Sequence, residues 1–373
     1  MKVEVLKENL KNSLSVVEKI VGKNLSLPIL DNVLINTEDN FLNLNSTNLE
    51  TAIKIWVLAK IVKPGKAVVP AKFLSSFVSS LPNDKIILEQ KGQGLHIECK
   101  NYKTDVQGFN PDDFPIIPEF KDAEVVEIDN KKLCQGLSQI VDVASVSQSR
   151  PEISGIYFSF LKNAVRIAAT DSFRLAEKNI TLDIAVKRDF SFIIPQKPAK
   201  EIINILAEKD GKTKIYILPN QVMFEFLMKE FSHPEVQIIS RLIEGEYPNY
   251  QEIIPTKFKT EVVTKRDEFL DQIKTASLFS GKLSEVKIKI NPGKNEVEIF
   301  AQDPEIGQSQ SNISADCKGE PMEISFNHKF LTDGLTRIKS SEVSFSISSQ
   351  EGACLLKPVG DASYTYVVMP IRS

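Results

Sequence analysis

Asn130–Ala144 reads NKKLCQGLSQIVDVA, and its apolar residues Leu133, Leu137, Ile140 and Ala144 fall at offsets 0, 4, 7 and 11. Those offsets share one face of an α-helix, so the stretch predicts an amphipathic helix with its charged residues on the other side. Leu10, Leu14, Val17 and Val21 repeat the same offsets near the N-terminus, and Phe269, Ile273 and Ala276 repeat a shorter version. Alternating runs that predict strands follow each helix: Phe41-Leu42-Asn43-Leu44-Asn45, Val165-Arg166-Ile167-Ala168-Ala169 and Val297-Glu298-Ile299-Phe300-Ala301. Their starts lie 124 and 132 positions apart.

A second helix is predicted in each repeat. Phe73, Phe77 and Leu81 follow Val68-Val69-Pro70; Ala199, Ile202 and Leu206 follow Ile193-Ile194-Pro195; Leu331, Leu335 and Ile338 follow Met322-Glu323-Ile324. Proline suits a helix start because its missing N–H would be unpaired there anyway. The repeats close on similar punctuation, Asp113-Phe114-Pro115, Glu246-Tyr247-Pro248 and Val368-Met369-Pro370. A period near a third of 373 residues is too long for a solenoid, whose repeats run roughly 20 to 50 residues. The chain therefore reads as α+β, with three similar domains at 1–121, 122–256 and 257–373, each of two helices and about eight strands.

Composition fits such domains, with 42% hydrophobic and 25% charged residues. No apolar run reaches the roughly 18 residues of a membrane span, and Met1-Lys2-Val3-Glu4-Val5 lacks signal-peptide architecture, so a cytoplasmic protein is expected. Cys99, Cys134, Cys317 and Cys354 are too widely spaced for a zinc knuckle or redox motif and read as buried thiols. His96, His233 and His328 show no metal-ligand spacing, and no cofactor is expected. Asp210-Gly211-Lys212-Thr213 resembles the end of a phosphate loop, but Leu206 stands where the first glycine belongs, so a hairpin turn is the reading. Asp171 without a matched partner reads as a turn residue, which leaves a nucleotide-acting enzyme as a distant alternative.

Charge is unevenly spread. The predicted helices 6–23, 70–80, 129–146, 195–210, 264–283 and 326–340 hold 17 Lys/Arg against 11 Asp/Glu, while the whole chain is at -3. A basic helical surface facing a polyanion would give this pattern, and so would chance placement of solvated lysines. Geometry discriminates further. A domain of this size has a diameter of about 35 Å, so three touching in a ring leave a hole of about 5 Å and six leave about 35 Å. Duplex DNA, roughly 20 Å across, fits only the larger, which would need two chains.

Taken together, these motifs resemble the bacterial β sliding clamp family over the whole chain. The resemblance rests on Leu27-Pro28-Ile29-Leu30, Ser149-Arg150-Pro151-Glu152-Ile153-Ser154-Gly155, Ala169-Thr170-Asp171-Ser172-Phe173-Arg174-Leu175-Ala176, Tyr247-Pro248-Asn249-Tyr250 and Tyr366-Val367-Val368-Met369-Pro370-Ile371-Arg372. It implies the DNA clamp fold: a six-domain ring formed by a head-to-tail homodimer, with helices inside and sheets outside. The implied role is to encircle double-stranded DNA without sequence preference and tether the replicative polymerase, with no chemistry of its own. The implied partners are the DNA polymerase III α subunit, the clamp-loader complex and other replication and repair proteins carrying a clamp-binding peptide of the Gln-Leu-x-Leu-Phe type, with no membrane.

Carried over by position, the resemblance implies a peptide cleft of Ile153, Thr170, Ser172, Phe173, Arg174, Leu175, Pro248, Ile253, Val367, Val368, Met369, Pro370, Ile371 and Arg372. It implies DNA contacts from Lys23, Asn24, Arg150, Lys197, Lys200 and Lys265, and a dimer interface including Thr104, Val106, Leu278 and Phe279. Ser172-Phe173 departs from the family's usual Gly-His, and Asn24 stands where arginine is common. A DNA-independent peptide-binding scaffold is the other non-enzymatic alternative.

Overall fold

A computed structural model describes residues 1–22, 27–145 and 149–371. Among them are six α-helices: α1 (Lys7–Val17), α2 (Ala71–Ser80), α3 (Asn130–Ile140), α4 (Gln196–Leu206), α5 (Arg266–Ser277) and α6 (His328–Arg337). The periodicity placed all six and overran the C-termini of all but α2. α1 stops at Val17, where the next amides bond Leu14 and Val16 in a closing turn, and Val21 is buried beyond the helix end. Ala144 is buried beyond α3 in the same way.

On α2 the helix was read correctly and its buried face was not. Ala71, Leu74, Val78 and Leu81 are buried, whereas Phe73 is 52% exposed and stacks on Phe77 at 6.2 Å. The helix carries an aliphatic and an aromatic stripe with the same period, and periodicity alone does not rank them. It ends as Leu81 turns extended, because residue Pro82 disfavours the helical region for its predecessor.

By compactness the chain divides into two units, residues 1–134 with 200–242 and residues 135–199 with 243–373. The first unit holds a five-stranded and an eight-stranded sheet, the second a nine-stranded and a four-stranded sheet. These units cut across the three sequence repeats because the sheets do. In the first unit, Thr51–Leu58 pairs antiparallel with Pro234–Arg241, Ser240 opposite Thr51 and Val236 opposite Ile55. In the second, Arg174–Thr181 pairs antiparallel with Tyr364–Val368, Arg174 opposite Val368 and Leu175 opposite Val367.

Among the described residues, all four sheets are open and end on two edge strands each. Tyr102–Val106 closes the five-stranded sheet, and Gly307–Ser314 closes the four-stranded one. The second of these, Gly-Gln-Ser-Gln-Ser-Asn-Ile-Ser, has no apolar alternation to announce it as a strand.

Strand Phe41–Thr47 is a clean alternation in sequence, which predicts one wet face. It is buried on both. Leu42, Leu44 and Ser46 face α1, where the Ser46 hydroxyl donates to the Val17 carbonyl at 2.7 Å. Asn43 and Asn45 lie on the opposite face and are equally buried.

All four cysteines are free and buried. Desolvation pushes the Cys134 and Cys354 thiols up to about 12 and raises Cys99 and Cys317 less far. At a pH of about 8, a thiol with a pKa near 12 is thiolate in roughly one part in ten thousand. Iodoacetamide should therefore leave Cys134 and Cys354 unlabelled in the native protein over hours and label all four after denaturation. Rapid native alkylation of Cys354, read by mass spectrometry, would contradict this.

Candidate functional site

The segment Thr170-Asp171-Ser172-Phe173-Arg174 builds a tight turn between strands Ala164–Thr170 and Arg174–Thr181. Asp171 acts as a turn residue: its Oδ1 accepts from the amides of Phe173 at 3.0 Å and Arg174 at 2.9 Å. The Thr170 hydroxyl donates to the Arg174 carbonyl at 2.7 Å and accepts from the Ser172 amide at 3.2 Å. Ser172 has φ 78°, the left-handed region that glycine occupies freely and other residues reach at a cost of roughly 1 kcal/mol. The turn directs Phe173 outward, where it is 61% exposed and stacks on Phe330 of α6 with centroids 6.3 Å apart.

Arg174 is fixed from four directions. Its Nε donates to Asp171 at 2.9 Å, its Nη1 pairs with Asp333 of α6, its Nη2 donates to the Asp142 carbonyl at 3.2 Å, and the guanidinium lies 4.8 Å over the Phe330 ring. Burial works against its charge, but Tyr366, Asp333 and Asp171 outweigh burial and hold its pKa above the ordinary value. Arg174 is thus a rigid wall rather than a mobile surface charge.

Beneath the turn, Leu175 and Val367 meet across the strand pair and pack with Ala168, Ile193, Tyr247, Tyr250 and Leu355. Tyr157 stacks on Tyr247 at 4.6 Å, and the Tyr250 hydroxyl donates to Glu177 at 2.7 Å, so the aromatic wall is anchored from behind. Ile153, Val368 and Pro370 are buried, Thr170, Pro248 and Met369 are half-buried, and Ile253 and Ile371 are exposed at the rim. The Met369 amide donates to the Phe173 carbonyl at 2.9 Å and the Ile371 amide to the Ser325 carbonyl at 2.8 Å, which ties the tail to the turn. Phe173 is not part of the Leu175–Val367 cluster.

Sequence reasoning missed several side chains here. Tyr247 and Tyr250 stand in a quoted motif but were not assigned to the site, and Phe330 and Asp333 reach Arg174 from a helix that no local pattern connects to it. Of the residues expected from the sequence to contact DNA, Arg150 donates from Nη1 to the Ser172 hydroxyl at 3.2 Å and from Nε to Glu152 at 3.3 Å, which places it beside the turn. Lys197 is exposed and Lys200 half-buried on α4, and Lys265 is exposed just before α5. Lys23, Asn24 and Arg372 lie outside the described residues. Thr104 is half-buried and Val106 buried on the Tyr102–Val106 edge; Leu278 is 70% exposed after α5, with Phe279 half-buried beside it. His328 opens α6, and burial together with Lys329 holds its pKa below the ordinary value, which favours the neutral ring. Among the described residues, no three His, Cys, Asp or Glu side chains cluster to hold a metal ion, and no helix is long and apolar enough to cross a membrane.

Buried Leu175 and Val367, the stacked Tyr157 and Tyr247 and the fixed Arg174 thus gather beneath one turn at a strand end. The chain matches the DNA polymerase III beta subunit descriptions for the N-terminal domain over residues 1–118, the central domain over 127–249 and the C-terminal domain over 251–372. It is 28% identical to the beta sliding clamp of Bacillus subtilis over 385 residues, covering 100% of both chains, and 28% identical to that of Staphylococcus aureus, covering 95% of both. The crystal structure of the Bacillus subtilis DNA polymerase sliding clamp superposes with a TM-score of 0.94 at 28% identity, covering 100% of this chain and 99% of that one. The DNA polymerase III beta subunit of Thermotoga maritima gives 0.91 at 26% identity, covering 100% and 99%. The chain belongs to the DNA polymerase III beta subunit family, with its three-domain α+β clamp fold. It is a sliding clamp that serves polymerase processivity without catalysis of its own.

Proposed function

We propose that two copies of this chain close head to tail into a ring around duplex DNA, with domains divided near residues 121 and 256. A rule of strand pairing carries this reading. Each repeat contains a three-strand meander, and the third strand of one meander pairs with the last strand of the next repeat: Thr51–Leu58 with Pro234–Arg241, then Arg174–Thr181 with Tyr364–Val368. The third repeat's equivalent, Gly307–Ser314, and the first repeat's last strand, Tyr102–Val106, each end a sheet with one side unpaired among the described residues. Applied once more, the rule pairs Gly307–Ser314 with Tyr102–Val106 of a second copy, which joins a four-stranded and a five-stranded sheet and covers two open edges.

This reading revises the interface expected from sequence. Thr104 and Val106 stay on the pairing strand, but their backbone partner is Gly307–Ser314, while Leu278 and Phe279 pack beside it. Exposed Leu278, Leu283 and Ile306 supply apolar surface for that contact.

Lys23, Asn24, Arg150, Lys197, Lys200 and Lys265 are the proposed DNA-facing residues, acting by sequence-independent phosphate contact. The Leu175–Val367 groove with Arg174 is the proposed dock for clamp-binding peptides of the polymerase α subunit, the clamp loader and repair proteins in the cytoplasm. After loading onto a nicked circular plasmid, the protein should remain bound through gel filtration and leave when the plasmid is linearised. Static phosphate contacts should weaken between about 50 and about 200 mM salt while topological retention on the circle persists. Equal loss from circular and linear DNA would sink the ring and favour a DNA-independent peptide scaffold.

A further inference from the structure

The turn that carries Arg174 has a counterpart in each of the other two repeats. In the first repeat the Thr47 hydroxyl donates to the Thr51 carbonyl at 3.0 Å and accepts from the Leu49 amide at 3.0 Å. Asn48 Oδ1 accepts from the amides of Glu50 at 3.1 Å and Thr51 at 2.7 Å, and Leu49 has φ 74°. Thr47–Thr51 therefore repeats Thr170–Arg174 bond for bond. The strand junctions match as well. Ala52 lies opposite Ile239 as Leu175 lies opposite Val367, and the Arg241 amide donates to the Glu50 carbonyl at 2.8 Å as that of Met369 does to Phe173. In the third repeat Asp303 Oδ1 accepts from the amides of Glu305 at 2.8 Å and Ile306 at 3.1 Å.

These copies separate what the turn needs from what the second repeat adds to it. Asn48 closes the turn with an amide oxygen, so no carboxylate charge is required. Asp303 closes it with Ile306 three positions on, so no arginine is required. Asp171 uses Oδ1 for the turn, and its second oxygen, Oδ2, accepts from Arg174 Nε at 2.9 Å. Thr51 and Ile306 stand where Arg174 does, and neither has a guanidinium to make that bond.

Asp171 at Nε and Asp333 at Nη1 grip one planar group at two points and fix its orientation. Either contact alone leaves the guanidinium able to turn about its side-chain bonds. The Arg174 and Asp171 side chains are 11% and 19% exposed, so water screens this pair less than one on the open surface.

We propose that Asp171 is a positioning residue of the peptide dock, its Oδ2 holding the Arg174 guanidinium in the pose that a bound peptide meets. This rests on the reading of the Leu175–Val367 groove as that dock.

Fluorescence polarisation of a labelled Gln-Leu-x-Leu-Phe peptide is measured on four full-length proteins: the parent, Asp171→Asn, Arg174→Ala and the double variant. Asparagine keeps the Oδ1 bonds of the turn, as Asn48 does, but offers an N–H donor where Nε needs an acceptor. Asp171→Asn should therefore bind about tenfold more weakly, with an unchanged far-UV spectrum. In the Arg174→Ala background the same change should alter affinity by less than about twofold, because the group it positions is gone. Parent-like binding by Asp171→Asn, or a tenfold loss that persists without Arg174, would overturn the proposal and leave the dock in place. No binding by the parent would remove the dock itself. Where Asp171→Asn does not fold, or Arg174→Ala leaves no measurable binding, Arg174→Lys decides. It keeps the charge and lacks the Nε–H, so about a tenfold loss is expected and parent-like affinity overturns the proposal.

Discussion

Removing Pro370–Ser373 should abolish binding of a labelled Gln-Leu-x-Leu-Phe peptide, by at least about a hundredfold in fluorescence polarisation, a loss of about 3 kcal/mol. Val367 and Val368 are held by strand pairing on both sides, opposite Leu175 and Arg174 on one and Leu355 and Cys354 on the other. The sheet and the Leu175–Val367 floor therefore survive the deletion. What goes is buried Pro370, the Ile371 rim and the amide bond from Ile371 to Ser325. An anchor peptide loses a wall and gains a solvated edge, and interfaces of this kind concentrate their energy in a few enclosed contacts. The dimer should persist, because neither open edge strand is touched. Unchanged peptide affinity would place the dock elsewhere, and loss of the dimer would make the tail structural.

Leu278→Glu should convert the protein to a monomer at micromolar concentration in sedimentation equilibrium, with an unchanged far-UV spectrum. Leu278 is 70% exposed, so the substitution costs the monomer little. A head-to-tail pair has two equivalent interfaces, and the substitution falls once at each of them. Losing burial of one leucine is worth about 2 kcal/mol at each interface, hence about 4 kcal/mol for the ring and about a thousandfold in dimer dissociation. Retention on circular DNA should vanish with it, while binding of the free peptide continues. A persistent dimer would remove Leu278 from the interface and leave the pairing of Gly307–Ser314 with Tyr102–Val106 to stand on strand order alone.

The helices were legible in the sequence because their signal is local. Leu133, Leu137 and Ile140 announce a helix and its buried face within three turns, and Phe269, Ile273 and Ala276 do so again on α5. Where two stripes share a period, as on α2, the local signal names the helix and not the face. The cleft was legible only through resemblance: Leu175 and Val367 are core residues by any local measure, and nothing within the chain's pattern couples Arg174 to Asp333.

By itself, then, the sequence determined the threefold repeat, the helix positions, the absence of close cysteine or histidine clusters and, through its quoted motifs, the family. Only the tertiary structure decided which surfaces remain open. Gly307–Ser314 is a polar strand without alternation, so its status as an open edge follows from sheet order and not from side chains. Asn43 and Asn45 occupy the positions of a solvated strand face, yet residues 111–120 cover that face and leave their amides short of partners. Periodicity records which residues share a face; whether a face meets water depends on segments far away in the chain, and that contact exists only once the chain has folded.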